Sequence, residues 1–428
     1  MQRILLILTE FPPRIGGMQT HAAYLSRHLH EQGYRLEVFT HRSCDPVLSQ
    51  EAAAHDRAQS FPIHRILGRL SYQHNLELLA QHAQRFAPDL IYASTVFYGI
   101  LQQRTGIRVV CRSVGNDLMR PWLGYPFKWG SHLLNSARME KLLHPWLERH
   151  RYPEWVDVLF RKKRELAAAK AARAAEHIFA NSTFTANLLH ALQVDETRIQ
   201  TLVGGVDSLR FHKMETCRRT LRRTLGLPES GYLLMTACRL VAKKGIDLLV
   251  EALPQLRAKL PHVHLIVVGD GKYRNRLERQ CLEQGIHNIT FSGRVAHDMI
   301  HHYYAACDLF VLASRESINS ATGTRDVETM GRVLCEANAA GIPVVASRTG
   351  GIPSVIEDGV NGLLFEAENI EQLVGRIIYL KENPDVRGNI VRHGLSRARE
   401  EFDWSSIVKE HSRVFDRLQL PVTIEDVS

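Results

Sequence analysis

Short apolar runs alternate with amphipathic stretches along almost the whole chain. Ile4–Thr9 is a compact apolar run and reads as a buried strand. A helical pattern follows from about Thr20 to Gln32 and closes at Gly33. Leu36–Thr40, Leu90–Ala93, Arg108–Cys111 and Ile178–Ala180 read as further strands. After Val203-Gly-Gly-Val-Asp207 the alternation starts again. Strands are predicted at Leu233–Ala237, His264–Val268, Ile289–Phe291, Leu309–Leu312 and Pro343–Ala346. Helices are predicted at Ile246–Leu260, Asn275–Gln284, Met299–Ala306 and Val333–Ala340. Strand–helix alternation of this kind predicts parallel sheets with helices on both faces. The 428 residues exceed what one hydrophobic core usually serves, so two doubly wound units are expected. The polar, Arg-rich stretch Asp207–Ser230 is the expected boundary, giving domains over residues 1–206 and 207–400 and a terminal helical tail over 401–428. Ligands of such sheets bind at the strands' carboxyl ends, so a cleft between two facing units is the expected site.

The segment richest in candidate chemistry is Glu328 to Gly351. Two carboxylates, Glu328 and Glu336, flank Gly331, where a helix should begin. Arg332 to Ala340 is built of good helix formers, Gly341 supplies the stop and Pro343 blocks continuation. A helix N-terminus offers unpaired N–H groups, here those of Gly331, Arg332 and Val333, and the positive end of the helix dipole, which suit a phosphate. Carboxylates suit sugar hydroxyls instead. Two such acceptors around an anion site form the layout a nucleotide-sugar needs. A second cluster, Arg239-Leu-Val-Ala-Lys-Lys-Gly245, follows a predicted strand and opens a helix. Arg239 and Lys244 can both address one anion, Arg as a fork and Lys as a point charge. Cations at a helix start are unfavourable without an anion to offset them.

The spacing Glu328-x7-Glu336, with G-I-P-V-V-A-S and Gly350–Gly351 behind it, resembles the retaining glycosyltransferases of family 4. The R-L-x-x-x-K-G run matches that family's diphosphate-holding motif in full. The resemblance implies a GT-B fold, two facing Rossmann-like domains with an interdomain cleft. It implies that Glu328 meets the transferred sugar, Glu336 the ribose, and Arg239 and Lys244 the diphosphate. Gly16–Gly17, between the first strand and helix, resembles the family's P-P-x-x-G-G element and adds a donor contact; His21 falls on a further family position. Gly269-Asp-Gly271 resembles a loop near the nucleotide base, and Gly293 and Asp308 are matching positions. Ala180-Asn-Ser-Thr183 and Val203–Phe211 resemble mainly architectural elements. The chain also departs from the family. Val114 stands where many members carry a sugar-contacting His, leaving Asn116 and Asp117 as polar groups for donor or acceptor, and Thr329–Met330 replaces a common Gly–Phe. The polar loop Arg315–Asp326 is longer than the family's shortest versions and is expected to cap the sugar.

Composition narrows the setting. The seven cysteines, Cys44, Cys111, Cys217, Cys238, Cys281, Cys307 and Cys335, are scattered and include no C-x-x-C pair. This argues against a disulfide framework or zinc motif and for a reducing, cytoplasmic compartment. His301–His302 lacks partners at ligand spacing and reads as surface polarity. No signal peptide and no membrane-spanning run of about 18 apolar residues is evident. The formal charge of +9 is uneven: Met119–Ala175 holds 12 Lys/Arg against 5 Asp/Glu, interleaved with Trp122, Tyr125, Phe127, Trp129, Trp146, Tyr152, Trp155 and Phe160. Basic and aromatic residues together suit an anionic membrane face or a sugar-bearing acceptor.

The expected partners are therefore a nucleotide-sugar donor and a glycan, lipid-linked or small-molecule acceptor, with peripheral contact to anionic membrane and no nucleic acid. Basic side chains do the neutralising that a metal would do, so no cofactor and no metal are expected. Two other readings compete. One is a non-catalytic scaffold that binds anionic membrane or nucleic acid through Met119–Ala175; the intact Glu328, Glu336, Arg239 and Lys244 oppose it. The other is a dinucleotide-dependent oxidoreductase, which lacks G-x-G-x-x-G after its first strand.

Overall fold

A computed structural model of the chain describes residues 2–13, 16–43, 45–69, 71–119, 154–212, 217–296, 298–318 and 324–419. The contacts divide the chain into two compact units, with breaks at Leu202/Val203 and Ser406/Ile407. The first break lies ahead of the expected boundary, for a physical reason. The Arg-rich stretch is part of the second unit, where it forms the helix Arg218–Thr224. Its Arg222 is buried, donates to Asp308 Oδ2 at 2.8 Å and from Nε to the Ala306 carbonyl at 2.8 Å. Asp308 also accepts from the Leu233 amide at 2.8 Å, so this family-matched position is a structural anchor.

The first unit is built on strands β1 (Arg3–Ile7), β2 (Arg35–His41), β3 (Ile63–Leu67), β4 (Leu90–Ala93), β5 (Val109–Ser113), β6 (His177–Ala180) and β7 (Ile199–Thr201). They form one sheet in the order β3-β2-β1-β4-β5-β6-β7, parallel throughout. Both faces of β1 are covered, which is why its sequence is a continuous apolar run and not an alternating one. Leu5 and Ile7 join Phe39, Ile91 and Cys111 on one face, under the helix Tyr72–Phe86 and the alanines Ala168, Ala172 and Ala175. That alanine seam explains the Ala-rich tract at 167–175: small side chains let the helix Glu154–Ala174 pack tightly. Ile4 and Leu6 join Tyr92 and Phe179 on the other face, with Ala22, Leu25 and Leu29 of the helix Gly17–Glu31. Val408, Val414 and Phe415 of the helix Trp404–Gln419 complete that core, so the chain's last helix belongs to its first unit.

The second unit contains β8 (Tyr232–Ala237), β9 (Val263–Val268), β10 (Ile289–Gly293), β11 (Leu309–Leu312), β14 (Val344–Arg348) and β15 (Leu363–Glu366). Their order is β10-β9-β8-β11-β14-β15, again parallel. The order reverses between β8 and β11, the switch point where open α/β sheets bind ligands. A two-stranded antiparallel piece, β12 (Ser317–Ile318) with β13 (Arg325–Asp326), lies in the polar loop expected to cap the sugar; residues 319–323 lie outside the described ones.

Candidate functional site

The carboxyl end of β8 leads into Arg239 and the short turn Ala242–Lys244, and Gly245 then opens the helix Ile246–Lys259. Gly245 sits at φ 60°, and a Cβ there would meet the Ala313 carbonyl oxygen at 1.9 Å. Only glycine lets this turn lie against the end of β11. On the far side of the switch point, Gly331 caps the helix Arg332–Ala339 in the left-handed conformation without any side-chain cap. Leu334 N–H donates to the Gly331 carbonyl at 2.9 Å, and the helix start presents the positive end of its dipole, which suits an anion. The helix ends as expected, with Gly341 at φ 67°.

Between these two helix starts lies Glu328, held by its backbone. Its carbonyl accepts from Gly351 N–H at 2.8 Å. Gly350, at φ 53°, touches the same carbonyl so closely that a Cβ would stand 2.1 Å from it. The Gly–Gly pair after β14 is thus a clamp on the catalytic candidate. The Glu328 carboxylate pairs with Lys244 Nζ, with side-chain exposures of 14% and 12%. Burial alone would raise the Glu328 carboxyl, but Lys244 and Lys243 outweigh it and hold the carboxyl below its usual range. The same contact holds the Lys244 ammonium above its usual range against the opposing effect of burial. Both groups are therefore charged throughout the physiological range.

Lys243, which the sequence did not single out, is buried; it pairs with Asp326 at 2.9 Å and donates to the Val327 carbonyl at 3.2 Å. It ties the stretch that carries Glu328 to the turn that carries Lys244. The signal for it was the second lysine of the Lys–Lys pair. Arg239 is exposed and makes no ion pair among the described residues, so its guanidinium is available to an anion. The Gly269-Asp-Gly271 loop packs on the Arg239 loop: the Leu240 amide donates to the Asp270 carbonyl at 3.1 Å, and Tyr273 N–H donates back to Leu240 at 3.1 Å.

Glu336, one turn inside its helix, is buried. It accepts from the Tyr304 hydroxyl at 3.0 Å and lies 3.5 Å from Arg332 Nε. Burial raises its carboxyl, and Arg332 and the Tyr304 hydroxyl offset this only in part. Tyr304 is a missed residue; nothing in its Tyr–Tyr–Ala–Ala context marks it. Val333 is half-buried, and its carbonyl accepts from the same hydroxyl at 3.2 Å. Thr329 and Met330 are buried, Met330 within the apolar core.

The candidates of the first unit are placed differently. Gly16 is extended and Gly17 begins the first helix; the Gly16 carbonyl accepts from Thr20 N–H at 2.9 Å. His21 is buried, with Nε2 3.2 Å from the Tyr92 hydroxyl, which lies 3.3 Å from His411 Nε2. The His21 ring is thus engaged inside the fold. Asp117 is buried too: Ser113 donates to it at 2.8 Å, Val96 N–H at 3.2 Å and Thr95 at 3.3 Å. Its carboxyl is raised by burial against these hydrogen bonds. Asp117 braces the end of β5, whereas Asn116 is exposed beside it. Of the basic run at 161–164, Arg164 is buried and Lys162 exposed, so Arg164 is no part of a charged face. Residues 120–153, which hold most of the aromatic candidates, lie outside the described residues.

Two parallel doubly wound units, with paired acidic and basic groups at the switch point of the second, define the GT-B class. Among solved structures, the chain is similar to Anabaena HepE in complex with UDP-glucose (TM-score 0.71, 21% identity, 97% of this chain and 100% of that one). It is also similar to sucrose-phosphate synthase from Thermosynechococcus elongatus (TM-score 0.72, 18% identity, 98% and 99%). At these identities the likeness concerns the fold. The model for glycosyl transferases group 1 matches residues 218–397, and that for glycosyltransferase family 4 matches residues 15–210. The chain belongs to the family 4, group 1 glycosyltransferases. A GDP-mannose-dependent monoacylated alpha-(1-6)-phosphatidylinositol monomannoside mannosyltransferase of Corynebacterium glutamicum is 31% identical over 47% of this chain and 52% of its own. A D-inositol 3-phosphate glycosyltransferase of Nocardioides is 25% identical over 95% and 86%. The chain spans about half the length of the curated relatives it matches at 30% identity or more.

Proposed function

We propose that the protein is a retaining glycosyltransferase that moves a sugar from a nucleotide-sugar donor to a polyol-bearing acceptor, lipid-linked or free. One observation carries the reading: the charged Lys244–Glu328 pair beside the uncapped helix start at Gly331, with Glu336 one turn deeper. Two ionised groups held this far out of water are stable only as a pair, and a donor diphosphate with its sugar offers each a new partner. Lys244 and the exposed Arg239 take the diphosphate together with the N–H groups of Arg332 and Val333. Glu328 accepts from sugar hydroxyls and Glu336 from ribose. In the transfer, the bond from the anomeric carbon to the phosphate oxygen breaks and its electron pair leaves on the diphosphate. The acceptor oxygen bonds to the same face of that carbon, and its proton passes to the departing phosphate oxygen. Catalysis is then mainly positioning and stabilisation of the leaving charge. The inositol-containing acceptors in the relatives' names support the polyol class.

The test is a panel of nucleotide-sugars incubated with the purified protein, with and without inositol phosphate or phosphatidylinositol vesicles, and NMR of the product's anomeric configuration. Transfer with retention from at least one donor is expected. Inversion overturns the retaining mechanism, and no nucleotide release from any donor overturns the activity. Among the described residues no helix is long and apolar enough to cross a membrane. Peripheral contact with anionic lipid is proposed through the helix bearing Arg161 and Lys162, at roughly 1 kcal/mol per charge. Salt should release the protein from phosphatidylserine vesicles, and Arg161→Ala with Lys162→Ala should weaken sedimentation while leaving nucleotide binding unchanged.

A further inference from the structure

A group of metal-ligand type lies far in sequence from the donor-site residues, at the edge of the first unit's sheet. Glu37 is on β2, His64 on the edge strand β3 and His82 on the helix Tyr72–Phe86 that covers this face. Glu37 Oε2 is 3.2 Å from His64 Nε2 and 2.5 Å from His82 Nε2. One ligand atom from each of the three residues lies within 4.8 Å of the others. The fold sets this up by register. Phe39 pairs with His64 across β2 and β3, and Glu37 shares the face of Phe39 two residues earlier. Leu79, Ala83 and Phe86 bury the helix against that face and so bring His82 to the same point. Phe39 backs both imidazoles, its ring 4.6 Å from each, and fixes their planes.

We propose that Glu37, His64 and His82 form a zinc site that pins the edge strand β3 and its covering helix to β2. Two imidazoles and a carboxylate are a standard zinc donor set, and a fourth position open to water completes a tetrahedron. Zinc bonds of about 2.0–2.1 Å place tetrahedral ligand atoms roughly 3.3 Å apart. The His64–Glu37 separation is already of that size, and the His82–Glu37 contact reaches it by a small side-chain rotation. Both histidines direct Nε2 inward at the shared carboxylate oxygen. Without an ion, each must spend its Nε2 proton on that oxygen; a cation instead uses both lone pairs and the carboxylate charge at once. Side-chain exposures of 36%, 26% and 17% for His64, His82 and Glu37 leave a path for entry. The ligands come from three separate elements, so no spacing motif marks them in the sequence. The ion would tie three elements of the first unit together, and nucleotide binding at Arg239 and Lys244 is expected to be independent of it.

The full chain, stripped with a chelator and dialysed, is titrated with zinc chloride by calorimetry. Cobalt(II) substitution is then read by visible absorption, whose intensity reports tetrahedral ligation. Saturable uptake of about one ion per chain is expected, with Tm rising by ~5–10 °C at zinc about 100-fold above Kd. His64→Gln, His82→Gln and Glu37→Gln should each remove the cobalt band and the Tm shift, and nucleotide binding should stay at the wild-type value. His287→Gln, at an exposed histidine elsewhere, controls for surface binding and should change nothing. No saturable uptake, or uptake and cobalt spectra unchanged in the three variants, overturns the site.

Discussion

At the scale of single residues, the two glutamates differ in a way their shared spacing hides. Glu328 is held ionised by Lys244 and Lys243, whereas burial pushes Glu336 toward its neutral form. Opposite signs in stability follow. A depressed carboxyl contributes stability that is present above its unfolded pKa of about 4.3 and is lost as pH falls through the folded value. A raised carboxyl does the reverse: its cost appears as pH rises from about 4.3 through the folded value. Glu336→Gln should therefore raise Tm by ~2 °C at pH 8, with the gain vanishing toward pH 4, and should weaken nucleotide binding. Melting curves at the two pH values and a nucleotide titration check both parts. Glu328→Gln should leave Lys244 without its partner, cost ~3 kcal/mol of stability and lower turnover at least 100-fold, roughly the loss seen when one preorganised charge partner goes. Near-normal turnover would remove Glu328 from the mechanism. Arg239→Ala and Lys244→Ala should each cost ~2–4 kcal/mol in kcat/KM, and turnover should survive chelation of divalent ions even where chelation lowers Tm. The identities of these residues were legible in the sequence because carboxylates and cations at helix starts need an explanation. Their pairing was not, since Lys244 and Glu328 are 84 positions apart.

At the scale of elements, the sequence disclosed those whose faces are uniformly covered. β1, β4, β8, β9, β11 and β14 are apolar on both sides and were visible as runs. β3 was not seen: it is an edge strand whose His64 and Arg65 interrupt the pattern, and β7 is short, polar and at the other edge. Helix starts were legible where glycine marks them, at Gly245 and Gly331, because those turns need a left-handed residue. His21 and Asp117 show what local reading leaves out: His21 Nε2 lies against Tyr92 from β4, and Asp117 accepts from Thr95 and Val96, partners that spacing alone does not disclose. Gly245→Ala tests how strictly an element positions chemistry. Its Cβ would strike the Ala313 carbonyl, so the turn must shift and carry Lys244 with it. Turnover should fall more than ten-fold, with the second unit still folded by far-UV circular dichroism. Unchanged kinetics would mean that the turn tolerates movement the pairing does not allow.

At the scale of the whole molecule, the chain order and the unit order disagree. The helix Trp404–Gln419 leaves the second unit, and its Val408, Val414 and Phe415 sit in the core of the first beside Tyr92 and Phe179. His411 lies in that core too; its ring is held neutral by burial, which lowers its pKa to about 3, and its Nδ1 is 2.7 Å from the Ile407 carbonyl. The first unit therefore cannot complete its core until the last helix exists, while all the donor-site candidates of the second unit lie before residue 340. Phe415→Ala, at a fully buried position, should destabilise the first unit by ~3–5 kcal/mol. Calorimetry should then show an early transition that nucleotide does not move and a later one that it raises, since a ligand stabilises only the folded unit it binds. Nucleotide affinity measured below the early transition should equal that of the wild type. A parallel loss of affinity and first-unit stability would mean that donor binding is not a property of the second unit alone, and would support the expected donor contact at Gly16 and Gly17.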